Sequence, residues 1–325
     1  MKTTVVIPNY NGMPYMETCL LAMRAQRVRP DRVIVVDNGS TDGSAEYVEQ
    51  HFPEVTLIRM GENTGFCGAV NAGIRASGDA AYVILLNNDT EAEPDFTGAL
   101  VAAMEGDPAI FSAQAKMLKM DDPEKMDDAG DFYCALGWAF ARGKGKSASR
   151  YTARTDLFFS CAGAAIYRMR LLEETGLFDE RHFAYLEDCD IGWRARILGY
   201  KNVFVPEARV KHVGSASSGS VYNLFKVRNT SRNSIYLIAK NMPALMVVVN
   251  LPFLIPGFLI KALFFALKGY GREYVRGIGA GFRMSAEGIR EGRHIAFQAK
   301  RLPQYLRIQL ELLTGIVRRF AEMLP

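Results

Sequence analysis

Cysteine is sparse and badly placed for cross-linking. The five residues, Cys19, Cys67, Cys134, Cys161 and Cys189, are odd in number, widely spaced and never arranged as CxxC. A disulfide framework and a structural zinc site are both poor readings, and a reduced, cytoplasmic setting is expected. No charged-then-apolar leader opens the chain, which begins on strand-like Met1 to Ile7, so nothing there points to secretion. Glycine fingerprints are also missing. No GxGxxG follows the first strand-like run, which excludes the usual dinucleotide site. Gly145-Lys146-Ser147 resembles the end of a P-loop, but Phe140 stands where the leading glycine belongs. Gly277-Ile278-Gly279-Ala280-Gly281 follows no strand and is discounted. Positive charge is lacking where nucleic acid would need it. From Lys268 onward 11 Lys/Arg face 5 Asp/Glu, so a chain of net charge +4 is slightly acidic before that point. The basic character belongs to a tail, and nucleic-acid binding is not expected.

What is present is organised around Val83-Ile84-Leu85-Leu86-Asn87-Asn88-Asp89. An apolar run with Tyr82 before it reads as a strand buried on both faces, and it stops abruptly in polar side chains. In an open parallel sheet, ligands gather beyond the carboxyl ends of strands. Asp89 thus stands where a divalent cation could be held against a phosphate-bearing substrate, although Asn88-Asp89 would also serve an ordinary turn.

Strand-like runs at Thr3 to Ile7, Val33 to Val36 and Val55 to Arg59 alternate with helix-like segments, which predicts parallel βαβ units and a sheet covered on both faces. Polar loops at 8–12, 37–44 and 87–90 would then share one sheet edge. Asp37 there can accept hydrogen bonds from a base or ribose, and Gly-rich turns let backbone N–H groups approach phosphate. Ile110 to Met117 and Phe158 to Tyr167 read as further strands, with Arg142 to Arg150 as a mobile or substrate-ordered loop between them. A second acidic cluster is Glu187-Asp188-Cys189-Asp190. Acids suit the first turn of a helix, but three in four positions raise one another's pKa, as a site needing a base would require. Short strands at Tyr200 to Val205 and Ala208 to Val210 lead to His212, a candidate third metal contact beside Asp89.

Taken together, Val5-Val6-Ile7-Pro8-Asn9-Tyr10-Asn11-Gly12, Val36 to Ser44, Asn63-Thr64-Gly65-Phe66, Leu86 to Asp89, Gly176 to Glu180, Tyr185 to Asp190, His212 and Arg228-Asn229 resemble glycosyltransferase family 2. More narrowly the chain resembles bacterial rhamnosyltransferase-like members that build O-antigen and cell-wall polysaccharides. The resemblance covers about residues 3 to 235. It implies an α/β GT-A sheet with helices on both faces, a nucleotide-sugar donor, Mg2+ or Mn2+, and inversion at the anomeric carbon. It also assigns residues. Pro8, Asn9, Tyr10 and Asp37 would hold base and ribose; Asn63, Gly65 and Asn71 would lie near the donor; Asn88 and Asp89 occupy the DxD position, Asp89 binding metal with His212. Asn87 replaces the first Asp of that signature. Asp188, in the Glu187-Asp188 pair, would be the general base.

The remaining feature is the apolar run Ala244 to Leu267, interrupted by Pro252, Pro256 and Lys261. A re-entrant or interfacial pair of helices followed by basic helices on anionic lipid is expected, and a buried hairpin or homodimer interface is the competing use. The expected division is a catalytic domain over 1–240 and a membrane-associating helical region over 241–325, at the cytoplasmic face of a bacterial membrane. The expected enzyme transfers a sugar, rhamnose from dTDP-rhamnose being favoured over a UDP-hexose or UDP-galactofuranose, to a polyprenyl-linked or growing polysaccharide acceptor. The rivals are a sugar-phosphate nucleotidylyltransferase, whose Gly-rich basic loop is missing, and a catalytically silent membrane-docked assembly protein.

Overall fold

A computed structural model describes residues 1–214 and 222–324. Its first half is what the apolar runs dictate. Strands β1 (Thr3–Asn9), β2 (Arg32–Asp37), β3 (Thr56–Arg59) and β4 (Tyr82–Leu86) are parallel and ordered β3-β2-β1-β4, joined by helices α1 (Met13–Arg24), α2 (Ser44–His51) and α3 (Gly65–Ala76). Strand side chains alternate between faces. Val5, Ile7, Val35, Ile84 and Leu86 therefore pack with Met16 and Leu20 of α1, whereas Val6, Ile34, Val36, Val83 and Leu85 pack with Val70 and Ile74 of α3. Both faces are covered, and only the strand ends are left to meet a ligand.

The second half departs from a purely parallel sheet. After β5 (Thr90–Ala92), α4 (Phe96–Gly106), β6 (Ile110–Lys119), β7 (Met126–Asp128), the hairpin β8 (Asp131–Cys134) and β9 (Trp138–Ala141), and β10 (Thr155–Leu157), strand β11 (Ala164–Arg168) inserts antiparallel to both β4 and β6. Helices α5 (Met169–Thr175) and α6 (Glu187–Leu198) follow, and β12 (Lys201–His212) runs parallel to β6 and antiparallel to β5 and β10. The two short strands expected over 200–210 are one, because a register shift between Val205 and Arg209 takes up Pro206. The strand expected from Phe158 is ordered only from Ala164. Before it, the N–H groups of Phe158 and Phe159 turn to the Asp131 carbonyl and that of Cys161 to the Gln114 side chain. Arg142 to Arg150 is pinned: the Gly145 amide donates to Met126, that of Ala148 to Glu124, and Gly143 and Lys146 meet the Glu322 carboxylate.

Helices α7 (Leu224–Asn241), α8 (Ala244–Leu267), α9 (Gly271–Arg290) and α10 (Leu302–Met323) complete the chain. The expected pair of helices over 244–267 is a single helix with Pro252 and Pro256 inside it. Tyr305, Ile308 and Leu312 of α10 enter one core with Tyr133, Phe158 and Trp193, so residues beyond 241 share their packing with those before it.

Candidate active site

At the ends of β1 and β2, short polar side chains bind one another. Asn9, 1% exposed, donates from Nδ2 to Asp37 Oδ1 (3.1 Å) and Ser44 Oγ (2.8 Å), and its Oδ1 accepts from Asn88 Nδ2 (2.8 Å). Its amide is thus saturated, and its part is to brace Asp37 against the β4 end. Asp37 is also buried and accepts the Ser40 amide at 3.3 Å. Pro8 is half-buried, and Tyr10, 43% exposed, is the accessible ring at this edge. Asn63 is exposed, its Oδ1 accepting from Asn38 and from the Gly65 amide. Asn71 does not face the cleft in the way expected. Its Nδ2 reaches the Phe178 carbonyl (2.8 Å) and Glu180 (2.9 Å), and its Oδ1 takes the Phe178 amide, so it fastens α3 to the 178–180 loop.

Asp89 and His212 meet. Antiparallel pairing of β5 with β12 sets His212 opposite Thr90, which brings its Nε2 to 3.3 Å from Asp89 Oδ1. On the far side, Nδ1 lies 2.8 Å from Asp127 Oδ2, and Lys144 Nζ is 3.0 Å from Asp127 Oδ1. Burial opposes charge on the imidazole, but hydrogen bonds to Asp127 and Asp89 outweigh it and raise His212 to about 9. Burial likewise opposes charge on Asp127, whose bond to His212 and the Lys144 charge hold it down at about 2. Oxygen from Asp89 and nitrogen from His212, with Asp127 fixing the ring's other nitrogen, is a donor set that fits a divalent cation displacing the imidazolium proton. A second cluster, Asp128, Asp131 and Cys161, has its ligand atoms within 4.8 Å of one another. Burial pushes both carboxyls up, Asp128 to about 6, and pushes the Cys161 thiol well up. A neutral thiol is a poor partner for Mg2+ or Mn2+, so this cluster fits those ions less well.

The second acidic run opens α6 from an unusual approach. Phe183 (φ 62°, ψ −62°) forms a three-residue turn closed by the Ala184 amide on the His182 carbonyl at 2.7 Å, and Tyr185 and Leu186 also have positive φ. Such non-glycine conformations cost roughly 1–3 kcal/mol each and persist only where surroundings impose them. Here Asn233 of α7 imposes them, its Nδ2 lying 2.9, 2.9 and 2.7 Å from the carbonyls of His182, Ala184 and Tyr185. Arg232 adds a bond to the His182 carbonyl at 2.8 Å. From the donor side, the Cys67 amide reaches the Phe183 carbonyl at 3.2 Å, and a Cβ on Gly65 would stand 2.5 Å from that oxygen. Only glycine lets α3 start so close to this loop.

The loop delivers two carboxylates with different surroundings. Asp188 is half-buried, accepts the Cys189 amide at 2.7 Å, and is raised to about 7, chiefly by burial with the Asp128 charge adding to it. Glu187 is buried, is driven well up by burial and by Asp188, and has Oε2 without a partner. Asp190 is a structural anion, bound to Arg194, Lys240 and Asn241. Sequence reading passed over Asp127, Asp128, Asp131 and Asn233. The adjacent acids of Met126-Asp127-Asp128 were a signal, and so was the repeated Arg-Asn pair of 228–229 and 232–233.

Polar strand ends, an Asp89–His212 pair and a raised carboxyl at the start of α6 are carried by an α/β sheet of the GT-A type, with helices on both faces. The sequence profile of "Glycosyl transferase family 2" matches residues 4–176, and the chain belongs to that family and is a glycosyltransferase. It is 29% identical over 237 residues to "N-acetylglucosaminyl-diphospho-decaprenol L-rhamnosyltransferase" of Mycobacterium tuberculosis, covering 66% of this chain and 77% of that one. It is 26% identical over 214 residues to "O-antigen chain rhamnosyltransferase RfbN" of Salmonella typhimurium, covering 65% and 66%. Among solved structures, the mannosyltransferase PcManGT of Pyrobaculum calidifontis, with GDP-Man and Mn2+, superposes with a TM-score of 0.54 at 17% identity over 98% of this chain and 87% of that one. GalNAc-T7 with UDP, GalNAc and Mn2+ gives 0.59 at 17% identity, over 73% and 47%. These structures share the GT-A fold.

Proposed function

We propose that the chain is an inverting, divalent-metal-dependent glycosyltransferase that moves rhamnose from dTDP-rhamnose to a polyprenyl-linked or growing polysaccharide acceptor at the cytoplasmic face of a bacterial membrane. The observation that carries the reading is the division of labour at one sheet edge: a metal-competent Asp89–His212 pair and, apart from it, a carboxyl whose pKa lies near neutrality. Residues 1–240 would do the chemistry and 241–325 would hold the enzyme to the membrane.

In this reading Pro8, Tyr10 and Asp37 receive the base and ribose, with Asn9 and Asn88 bracing them, and Asn63 and Gly65 border the sugar. Asp89 and His212 would hold Mg2+ or Mn2+, which when bound supplies positive charge to the departing diphosphate. Asp188 takes the proton of the attacking acceptor hydroxyl as that oxygen bonds to the anomeric carbon and the bond to phosphate breaks. Glu187, whose carboxyl burial and the Asp188 charge push well up, stands beside it. The two rhamnosyltransferase relatives favour the rhamnosyl donor, and the decaprenol acceptor named for one of them favours a lipid-linked acceptor. A UDP-hexose or UDP-galactofuranose is the competing donor.

The test is thermal stabilisation of the purified chain by dTDP- and UDP-sugars with and without Mn2+ or Mg2+. A ligand specific for the folded state stabilises by about 2.7 kcal/mol at a hundredfold excess over its Kd. A metal-dependent rise with dTDP-rhamnose alone is expected; no rise with any nucleotide sugar counts against the transferase reading and for a silent assembly protein. A second expectation concerns Asp127, which orients His212 without touching the cation itself. Asp127→Asn should weaken Mn2+ binding in calorimetry roughly 10–100-fold, the usual cost of losing a carboxylate behind a metal-bound histidine. Unchanged Mn2+ affinity would remove Asp127 from the metal site.

A further inference from the structure

Helix α8 has the length and composition of a membrane span. It runs 24 residues with mean hydropathy 2.0, or about 36 Å at 1.5 Å per residue, against a hydrocarbon core of about 30 Å. Yet its middle is bonded along one side to α10 and to the β8–β9 hairpin. Asn250 exchanges two hydrogen bonds with Gln309 of α10, at 2.7 and 3.0 Å. Trp138 Nε1 of β9 donates to the Gly257 carbonyl at 3.1 Å, and a Cβ on Gly257 would lie 2.1 Å from the Leu136 carbonyl. The helix's one charge, Lys261, lies over the Trp138 ring at 5.7 Å. Both polar residues of α8 thus face the protein. The opposite side is wholly apolar and exposed: Leu245, Val248, Ile255, Leu259, Leu263 and Leu267 among others, with Pro252 and Pro256.

Crossing a bilayer would drag β8, β9 and α10 into hydrocarbon, together with the charges that α10 carries at Arg307, Glu311, Arg318 and Arg319. The neighbouring helices carry the same kind of exposed stripe. On α9, three apolar residues at seven-residue spacing, Val275, Phe282 and Ile289, are each followed by an exposed arginine, Arg276, Arg283 and Arg290. Its other face, Gly277, Gly281 and Gly288, is closed against α7. On α10, Leu306, Leu310, Val317 and Phe320 are exposed opposite buried Tyr305, Ile308 and Leu312. An apolar stripe edged by arginine suits the plane where acyl chains meet anionic headgroups.

We propose that α8 lies in the plane of an anionic membrane surface, both of its ends on the same side, with α9 supplying arginines to lipid phosphates. The inference rests on the membrane part of the reading above and not on the transfer chemistry. It concerns a bilayer rather than a second copy of the chain, because arginines beside every exposed apolar residue of α9 would repel across a two-fold contact and be neutralised by lipid.

The experiment uses the full chain with single cysteines added at the helix ends and middle. The native thiols are buried, Cys161 partly so. In inside-out membrane vesicles from expressing cells, Ala244→Cys and Lys268→Cys should both react with a membrane-impermeant maleimide, and in right-side-out spheroplasts neither should. Leu259→Cys should be protected on vesicles and reactive without them. The Arg276→Glu, Arg283→Glu, Arg290→Glu variant should bind vesicles containing phosphatidylglycerol at least roughly 100-fold more weakly, at about fivefold per lost surface cation. Labelling of one end from each side would show a spanning helix and overturn the in-plane proposal while leaving membrane attachment intact. Failure to bind vesicles, with Leu259→Cys protected in a dimer detected by sedimentation, would overturn attachment itself. Neither result bears on sugar transfer.

Discussion

Asp188→Asn should lower sugar transfer by about 10²–10⁴-fold, the usual contribution of a positioned base, while leaving metal-dependent binding of the donor as in the parent chain. The amide keeps the size of the side chain and can still accept the Cys189 amide, but it takes no proton from the acceptor. Because only proton removal is lost, kcat should fall with little change in the donor KM. Turnover at the parent rate would sink the assignment, and loss of donor binding would mean that Asp188 acts on the other substrate.

The same carboxyl predicts a pH profile. Burial first, and the neighbouring Asp128 charge with it, raise Asp188 to about 7, so the protonated form, which cannot act as a base, prevails below that pH. The rate should climb about tenfold per pH unit from pH 5 and level off above about 7. Asp128→Asn removes one of the charges holding the pKa up, so the rising limb should move to lower pH without the plateau collapsing. A limb unmoved by that change would mean that burial alone sets the base.

The parts that were legible in the sequence are those where a short-range pattern has a single structural solution. An apolar run such as Tyr82 to Leu86 reads as a strand buried on both faces, and β1 to β4 follow from runs of this kind. Glu187 as a helix start was legible for the same reason. What was hidden depends on contacts across the chain. Glu187, Asp188 and Asp190 look alike in sequence; Arg194 one turn on, and Lys240 arriving 50 residues later, make Asp190 a structural anion and set it apart from Asp188. Asn9 and Asn71 read as ligand contacts because asparagine at a strand or helix end is free in a sequence, whereas here each amide is saturated by a partner far along the chain. β7 is three residues long, too short for any periodicity, so the adjacent acids Asp127 and Asp128 marked the segment without showing that Asp127 stands behind His212. Both prolines of α8 argued for a break that packing against β8, β9 and α10 overrides.

The cation that separates those acids should also be the costliest one to remove. Lys240 Nζ lies 2.7 Å from Asp179 and 2.9 Å from Asp190, with all three side chains almost wholly buried, and Tyr236 donates to Asp179 at 2.8 Å. Lys240→Met would leave two buried carboxylates short of a partner, which typically costs about 3–5 kcal/mol. A fall in Tm of roughly 4–8 °C is the corresponding shift for a chain of this size. The sign of the pH dependence follows. Burial opposes charge on both acids, but Lys240 on Asp179, and Arg194 with Lys240 on Asp190, outweigh it and hold both below the ordinary range. Groups depressed in this way contribute stability above their unfolded pKa of about 4 and lose it as pH falls through the folded values. The parent chain should therefore lose stability below about pH 4, and Lys240→Met should show a smaller loss there, having given up that contribution already. Adding Asp190→Asn to Lys240→Met removes one of the orphaned charges and should restore part of the Tm; a double variant no more stable than the single would mean that the site resists loss of packing, not loss of the ion pair.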